Sequence, residues 1–229
     1  MGFLYFDKYY LILVVPMILI SLLTQARIKS SYRKYASVAN AKGLTGAMAA
    51  QRVLDYYGIR DVRIEHVSGE LSDHFDPRAK VIRLSDGVCN TPSVAAVGIA
   101  CHEAGHAAQH AEGYVPIKIR NSILPVCNIG SHLGIPLAIL GYILGWQPLI
   151  SVGLILYSLI VIFQLVTLPV EFDASRRAIK VIDETGMLST EENNGAKAVL
   201  RSAAMTYVAA AGVAVANLLR LILRFRSRR

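Results

Sequence analysis

Cys101-His102-Glu103-Ala104-Gly105-His106 holds two histidines four residues apart, with a glutamate directly after the first. On an α-helix such residues share a face, so both imidazoles can approach one tetrahedral zinc ion at about 2.0–2.1 Å from each nitrogen. Glu103, rotated by about 100° from His102, comes near the open coordination position, where a carboxylate can take a proton from metal-bound water. One helical turn thus offers two ligands and a base. Ala95, Ala96, Val97, Ile99, Ala100, Cys101, Ala104, Gly105, Ala107 and Ala108 surround the motif and make this an interior helix, where unpaired His and Glu are costly. A solvated helix face with coincidental histidines is therefore a poor account of the pattern.

A catalytic zinc normally takes three protein ligands and a water, and three residues compete for the third place. His110 lies on the same face but about 6 Å further along the axis than His106, which suits a surface or supporting histidine better than a ligand. Glu112 occupies the third-ligand position of the longer H-E-x-x-H-x-x-G-x-x-H motif, but Gln109 stands where a glycine must turn the chain. Glu171 opens the run Glu171-Phe172-Asp173-Ala174-Ser175-Arg176-Arg177-Ala178 after a long uncharged stretch. A carboxylate at the membrane boundary of an apolar helix needs a partner. Zinc ligation supplies one; a salt bridge to Arg176 or Arg177, or a helix N-terminal charge, are the alternatives.

These residues need elements to hold them, and the composition says where those elements live. Of 229 residues, 54% are hydrophobic and 17% charged, against about 45–50% and about 25% in soluble proteins. Tyr9 to Ala26 is an 18-residue segment without Asp, Glu, Lys or Arg, and Asn121 to Val170 is a 50-residue one. A bilayer core about 30 Å thick needs roughly 20 apolar helical residues, so the first run reads as one span and the second as two. Disorder, a disulfide-stapled secreted domain and a collagen-like repeat are excluded. Cys89, Cys101 and Cys127 form neither an even framework nor a C-x-x-C pair and read as reduced packing residues.

Thr24-Gln25-Ala26 loosely resembles a signal cleavage site, yet only Lys8, offset by Asp7, precedes the apolar run, and Arg27, Lys29, Arg33 and Lys34 follow it. That is the flank of a retained anchor, residues 1–26, whose C-terminal end is cytoplasmic. Residues 27–120 read as a small α+β domain. Thr45 caps a helix over Gly46 to Tyr57, closed by Gly58. Asp61 to Val67 and Lys80 to Ser85 carry strand signals, with turn chemistry over Ser72 to Arg78 between them. Thr91-Pro92 opens the helix that runs to Ala111 and carries the histidines.

Residues 121–170 break at Trp146-Gln147-Pro148 into two arms, Ser122 to Gly145 and Leu149 to Leu168, forming a hairpin whose ends emerge on one side. This returns Glu171, at the head of a helix within 171–190, to the face carrying the His102 helix. Ser189 or Thr190 with Glu191 and Glu192 caps a last helix within 191–229. Its uncharged run from Ser202 to Leu219 contains seven alanines and is only weakly lipophilic. A full crossing would deliver Arg220, Arg224, Arg226, Arg228 and Arg229 to the outside, against the positive-inside rule, so packing without a full crossing is favoured and a fourth span stays the alternative. Nine of the 24 Lys and Arg residues lie in 27–34 and 220–229. The net charge of +8 thus reflects segments that meet anionic lipid, and implies no nucleic-acid partner.

A single H-E-x-x-H helix, a transmembrane hairpin, then Glu-Phe-Asp-Ala-Ser-Arg-Arg-Ala resembles the YugP-like family of membrane-bound neutral zinc metallopeptidases. The resemblance covers nearly the whole chain, including Asp73-His74-Phe75-Asp76-Pro77-Arg78 and the apolar tail from Leu200 to Leu223. More distantly, the chain is similar to membrane zincins of the HtpX and CAAX-prenyl-protease type. The resemblance implies an α-helical membrane protein with a small zincin-like α+β catalytic domain and three or four transmembrane helices. It further implies one zinc ion held by His102, His106 and Glu171, with Glu103 as catalytic base. The distant group usually has an Asp four positions after the ligand Glu. Here Ser175 stands there, which leaves Asp173 as the nominee for orienting a ligand.

The expected function is that of a multi-pass zinc endopeptidase of the cell (inner, cytoplasmic) membrane, its active site facing the cytoplasm. It would cleave membrane proteins or membrane-proximal peptides. The alternative is a membrane scaffold or regulatory protein with a structural zinc site; a transporter is disfavoured by few spans and no paired broken helices. No oligomeric state is implied. His74, Tyr114, Arg176 and Tyr207 are nominated as oxyanion donors, although each also suits packing or surface roles. The Lys80 to Ser85 strand is either an edge that accepts a peptide or an ordinary covered strand. His132, with Asn128 and Ser131, marks either an intramembrane polar pocket or interhelical hydrogen bonding.

Overall fold

A computed structural model describes residues 7–226; residues 1–6 of the expected anchor, and Arg228 and Arg229 of the expected basic tail, lie outside them. The described chain falls into two units, one made of residues 7–25, 118–168 and 205–226, the other of 26–117 and 169–204.

In the first unit a π-helical turn, Tyr10–Val14, leads into α1 (Val15–Ala36), and two long helices, α4 (Val115–Leu144) and α5 (Gln147–Glu184), meet at a tight turn. Gly145 adopts φ +65° there, a left-handed conformation that glycine reaches without steric cost, and Trp146 N donates to Gly141 O at 2.9 Å. A Cβ on Gly153 would lie 2.5 Å from Ala138 N, and one on Gly134 would lie 2.9 Å from Tyr157 N. The arms therefore touch backbone to backbone, as small residues allow where apolar burial gives no preference over lipid. Cys127 Sγ donates to Leu159 O at 3.3 Å across the same interface. Asn128, Ser131 and His132 are all exposed, and Ser131 Oγ donates to Asn128 O at 2.7 Å within α4, so these three do not gather into the envisaged pocket.

The last helix, α6 (Thr190–Arg226), is long and apolar enough for the fourth span that the sequence left open. Tyr10–Ala36, Val115–Leu144, Gln147–Glu184 and Thr190–Phe225 are all long and apolar enough to cross a membrane. Within the first unit Met17 packs against Gly212, the Tyr142 and Phe225 rings lie 5.6 Å apart, and Arg220 Nε bonds Asp7 Oδ2 at 3.1 Å. The C-terminal end of α6 thus sits beside the hairpin turn and the start of the first helix. Pairing with buried Asp7 removes the charge objection to Arg220, and the alanines serve close packing rather than lipophilicity.

In the second unit α2 (Gly46–Tyr56) starts at its Thr45 cap, whose side chain accepts from Met48 N, and Gly58 follows at φ +66°. β1 (Arg63–His66) pairs in parallel with β3 (Val81–Leu84), and β2 (His74–Asp76) pairs antiparallel to β3, giving the order β1-β3-β2. One expectation is corrected, since part of the expected Ser72–Arg78 turn is a strand, and one alternative is decided, since β3 is central and so an ordinary covered strand rather than an edge for a peptide. Asp73 explains the pairing, since its carboxylate accepts from Ser85 N at 2.8 Å and from Ser85 Oγ at 2.9 Å, which lays β2 along β3.

α3 (Val94–Ala111) is capped by Ser93, whose Oγ accepts from Ala96 N at 3.1 Å, not by Thr91. An antiparallel bridge from Ala39 to Ser93 and a bond from Asn40 N to Pro92 O keep residues 92–93 extended, so the helix begins two residues later. α5 continues unbroken from the hairpin to Glu184, merging the expected second arm with the expected third-ligand helix. Gly186, at φ +59°, ends the connection. Ser189 N then donates to Glu192 Oε2 and Glu192 N to Ser189 Oγ, the reciprocal cap anticipated at the head of α6. Leu54, Ile82, Leu84, Ala100, Ala104 and Ile182 form the fully buried core around α3.

Gly153→Val forces two isopropyl carbons into a backbone contact. We expect a loss of about 1–3 kcal/mol, read as a lower midpoint of denaturant unfolding in detergent; an unchanged midpoint would contradict the packing described.

Candidate metal centre

α3 presents His102 and His106 one turn apart, and α5 brings Glu171 against them. His102 Nε2 lies 3.3 Å and His106 Nε2 3.6 Å from Glu171 Oε2, and the two imidazoles stand edge to face with centroids 4.7 Å apart. One ligand atom from each of the three lies within 4.8 Å of the others. Two ligands bound at about 2.0–2.1 Å to a tetrahedral centre stand roughly 3.3–3.4 Å apart, so the observed spacing and the N, N, O donor set suit a zinc ion. Among the described residues this is the one group of three or more His, Cys, Asp or Glu side chains so arranged.

The helices can come this close because of Gly105, inside the motif itself. A Cβ there would lie 2.6 Å from Ala174 O, so α3 meets α5 backbone to backbone between His102 and His106. Glu171 is 3% and His106 8% exposed, and Glu103 is half-buried beside them. Burial alone lowers the His106 pKa, but the Glu171 contact, the negative charges of Glu103 and Glu171 and the Gln109 bond together raise it. Burial pushes the neighbouring Cys101 thiol up, leaving it a neutral packing group.

Each imidazole is also held from behind. His106 Nδ1 lies 3.0 Å from Gln109 Oε1, and Gln109 Nε2 donates to Val170 O at 2.8 Å and to Asp173 Oδ2 at 3.0 Å. Arg177 Nε donates to Asp173 Oδ2 at 2.5 Å, Arg177 Nη1 to Glu112 Oε2 at 2.6 Å, and Arg176 also pairs with Asp173. His102 Nδ1 lies 3.1 Å from Ser175 Oγ.

A family model described as "Putative neutral zinc metallopeptidase" matches residues 10–226. The chain belongs to that family. It is also 44% identical over 216 residues, 94% of this chain and 96% of the relative, to "Putative membrane protease YugP" of Bacillus subtilis (strain 168). No solved structure matches the chain. Membership in a zinc metallopeptidase family and the donor set agree on the metal.

The structure sorts the remaining candidates. Glu112 is held by Arg177 and takes no place among the donors. Exposed His110 packs edge-on to Phe75 at 5.9 Å. Arg176 and Arg177, the envisaged salt-bridge partners of Glu171, both engage Asp173. Asp173 reaches His106 only through Gln109, while Ser175 touches His102 directly, so the role sought for one Asp is divided between two positions. His74 Nδ1 faces Ser72 O at 2.8 Å on the edge strand, Arg176 is 77% exposed, and Tyr114 lies beside the Arg177 guanidinium. Tyr207 belongs to the first unit. The sequence reading missed Gln109, which it noted only as a displaced glycine. Its position three residues after His106, on the same helical face, was the available signal.

Gly105→Ala places a methyl against Ala174 O and pushes apart the helices that carry His102, His106 and Glu171. It is expected to cost about 1–3 kcal/mol of stability and to weaken zinc retention on dialysis against a chelator; retention equal to wild type would show that the close approach is dispensable.

Proposed function

We propose that this chain is an integral membrane zinc endopeptidase that cleaves membrane proteins or membrane-proximal peptides. The observation that carries the reading is the convergence of His102 Nε2, His106 Nε2 and Glu171 Oε2 with Glu103 half-buried beside them. A structural zinc is usually closed by four protein ligands; the three gathered here, with a carboxylate adjoining, favour catalysis over the scaffold alternative. A zinc ion held by these three side chains supplies Lewis acidity, polarising a peptide carbonyl and acidifying a water molecule.

The chain's own groups do the rest. His102 and His106 direct their Nε2 atoms, and Glu171 its carboxylate, toward one point from two helices. The Glu103 carboxylate accepts the proton of the attacking water and passes it to the departing amine, so one group serves as base and then as acid. Burial of the cluster keeps its charges strongly coupled, since a low local dielectric lessens screening.

Arg27, Lys29, Arg33 and Lys34 follow the first span, which by the positive-inside rule sets the end that leads into residues 27–120 in the cytoplasm. The active site then faces the cytoplasm, one zinc per chain, close to where its substrates leave the bilayer.

Zinc content and casein cleavage in detergent test this directly. Glu103→Gln should keep zinc and lose hydrolysis by about 10²–10⁴-fold, the usual worth of general acid–base catalysis. Glu171→Ala should lose zinc and activity together. Normal cleavage by Glu103→Gln would sink the enzyme reading, and undiminished zinc in Glu171→Ala would remove the third ligand.

A further inference from the structure

We infer that Gln109 is a positioning residue that dictates which nitrogen of His106 faces the metal and ties that ligand to the backbone preceding Glu171. This rests on the metal reading above and adds to it a residue that the motif does not specify.

The argument is one of donors and acceptors. Gln109 is fully buried, so water does not compete for its amide. One end of that amide faces Val170 O at 2.8 Å and Asp173 Oδ2 at 3.0 Å. A peptide carbonyl only accepts, and Asp173, paired with both Arg176 and Arg177, is a carboxylate that only accepts. The end facing them is therefore the NH₂ group, and the end 3.0 Å from His106 Nδ1 is the carbonyl oxygen. An oxygen there needs a donor, so Nδ1 carries a proton and Nε2, on the Glu171 side, is the nitrogen left to coordinate a metal. Reversing the amide would set its oxygen against two other acceptors and leave buried groups unsatisfied.

Ser175 does not impose the same choice on His102, because a hydroxyl can donate or accept. Gln109 also does a second job that Ser175 does not. Through Val170 O it grips the residue before Glu171, so one side chain fixes an α3 ligand and the α5 backbone beside the third. The negative charge of Asp173 reaches His106 only through this neutral amide, a gentler version of the carboxylate–histidine pairing that tunes metal-bound imidazoles.

The test measures zinc affinity of the full-length protein in detergent by chelator competition, with unfolding of the zinc-free protein alongside. Gln109→Met keeps length and burial but neither accepts from Nδ1 nor donates to α5. It should bind zinc about 10–100-fold more weakly, the usual effect of losing such a partner. Gln109→Glu keeps the acceptor but sets a carboxylate against Asp173, and should also bind weakly. Gln109→Glu combined with Asp173→Asn restores donor and acceptor between positions 106, 109 and 173, though not toward Val170 O, and should recover about tenfold of that loss. A purely structural role predicts no such rescue. Wild-type affinity in Gln109→Met, or a double variant no better than Gln109→Glu, overturns the inference while leaving the metal site standing. A wild-type chain that takes up no zinc overturns the metal reading itself.

Discussion

The backbone contact between α3 and α5 at Gly105 and Ala174 governs the rest of the centre. Two histidines one turn apart can stand on any helix; they become a site only when a third donor comes within about 3–4 Å, and an acidic side chain such as Glu reaches that far only if the helix axes are close. A glycine inside the motif permits the approach. The small residues around it extend the effect: Ala104, Ala108, Ala174 and Ala178 are all fully buried, so the seam beside the donors is filled by methyl groups and backbone. Gly98, whose Cβ would lie 3.2 Å from Ala196, lets α6 seat against α3 about one turn before His102.

The charged groups around the seam are arranged as successive layers, each satisfying the one inside it. Arg177, aligned by Glu112 and flanked by the Tyr57 and Tyr114 rings at 5.8 Å each, holds Asp173; Asp173 holds Gln109; Gln109 holds His106. An unpaired member of such a buried chain would cost several kcal/mol, which rewards keeping the whole chain intact. Glu112, Arg177 and Asp173 thus shape the centre without contributing a donor to it.

Much of this architecture was legible because local chemistry dictated it. The Thr45 cap with Gly58, and the Ser189–Glu192 reciprocal cap, are short-range signals whose partners lie within a few residues, and the long uncharged runs announce spans by length alone. Glu171 was singled out because a carboxylate at the edge of an apolar helix needs a partner, and the fold brings it beside His102 and His106. What escaped was non-local. The strand at His74–Asp76 is too short to show alternation and is set by Asp73 gripping Ser85. The Ser93 cap is decided by Ala39 and Asn40, which hold the chain extended past Thr91. The charge rule likewise counts Arg220 as unaccompanied, whereas Asp7, 213 residues away, pairs with it. Gln109 was noticed for what it replaced rather than for what a buried amide three residues from a histidine must do.

The pairing of Asp7 with Arg220 also bears on how the protein is made. Moving an unaccompanied arginine through the bilayer centre costs at least about 2.5–3.5 kcal/mol, a toll that the last helix would meet alone if it entered the membrane by itself. With the first helix already in place, Asp7 and the Tyr10 ring, 4.8 Å from the Arg220 guanidinium, offer a docking point on arrival. Where the last helix crosses, its insertion is thereby linked to that of the first, whose Asp7 is in place before Arg220 arrives.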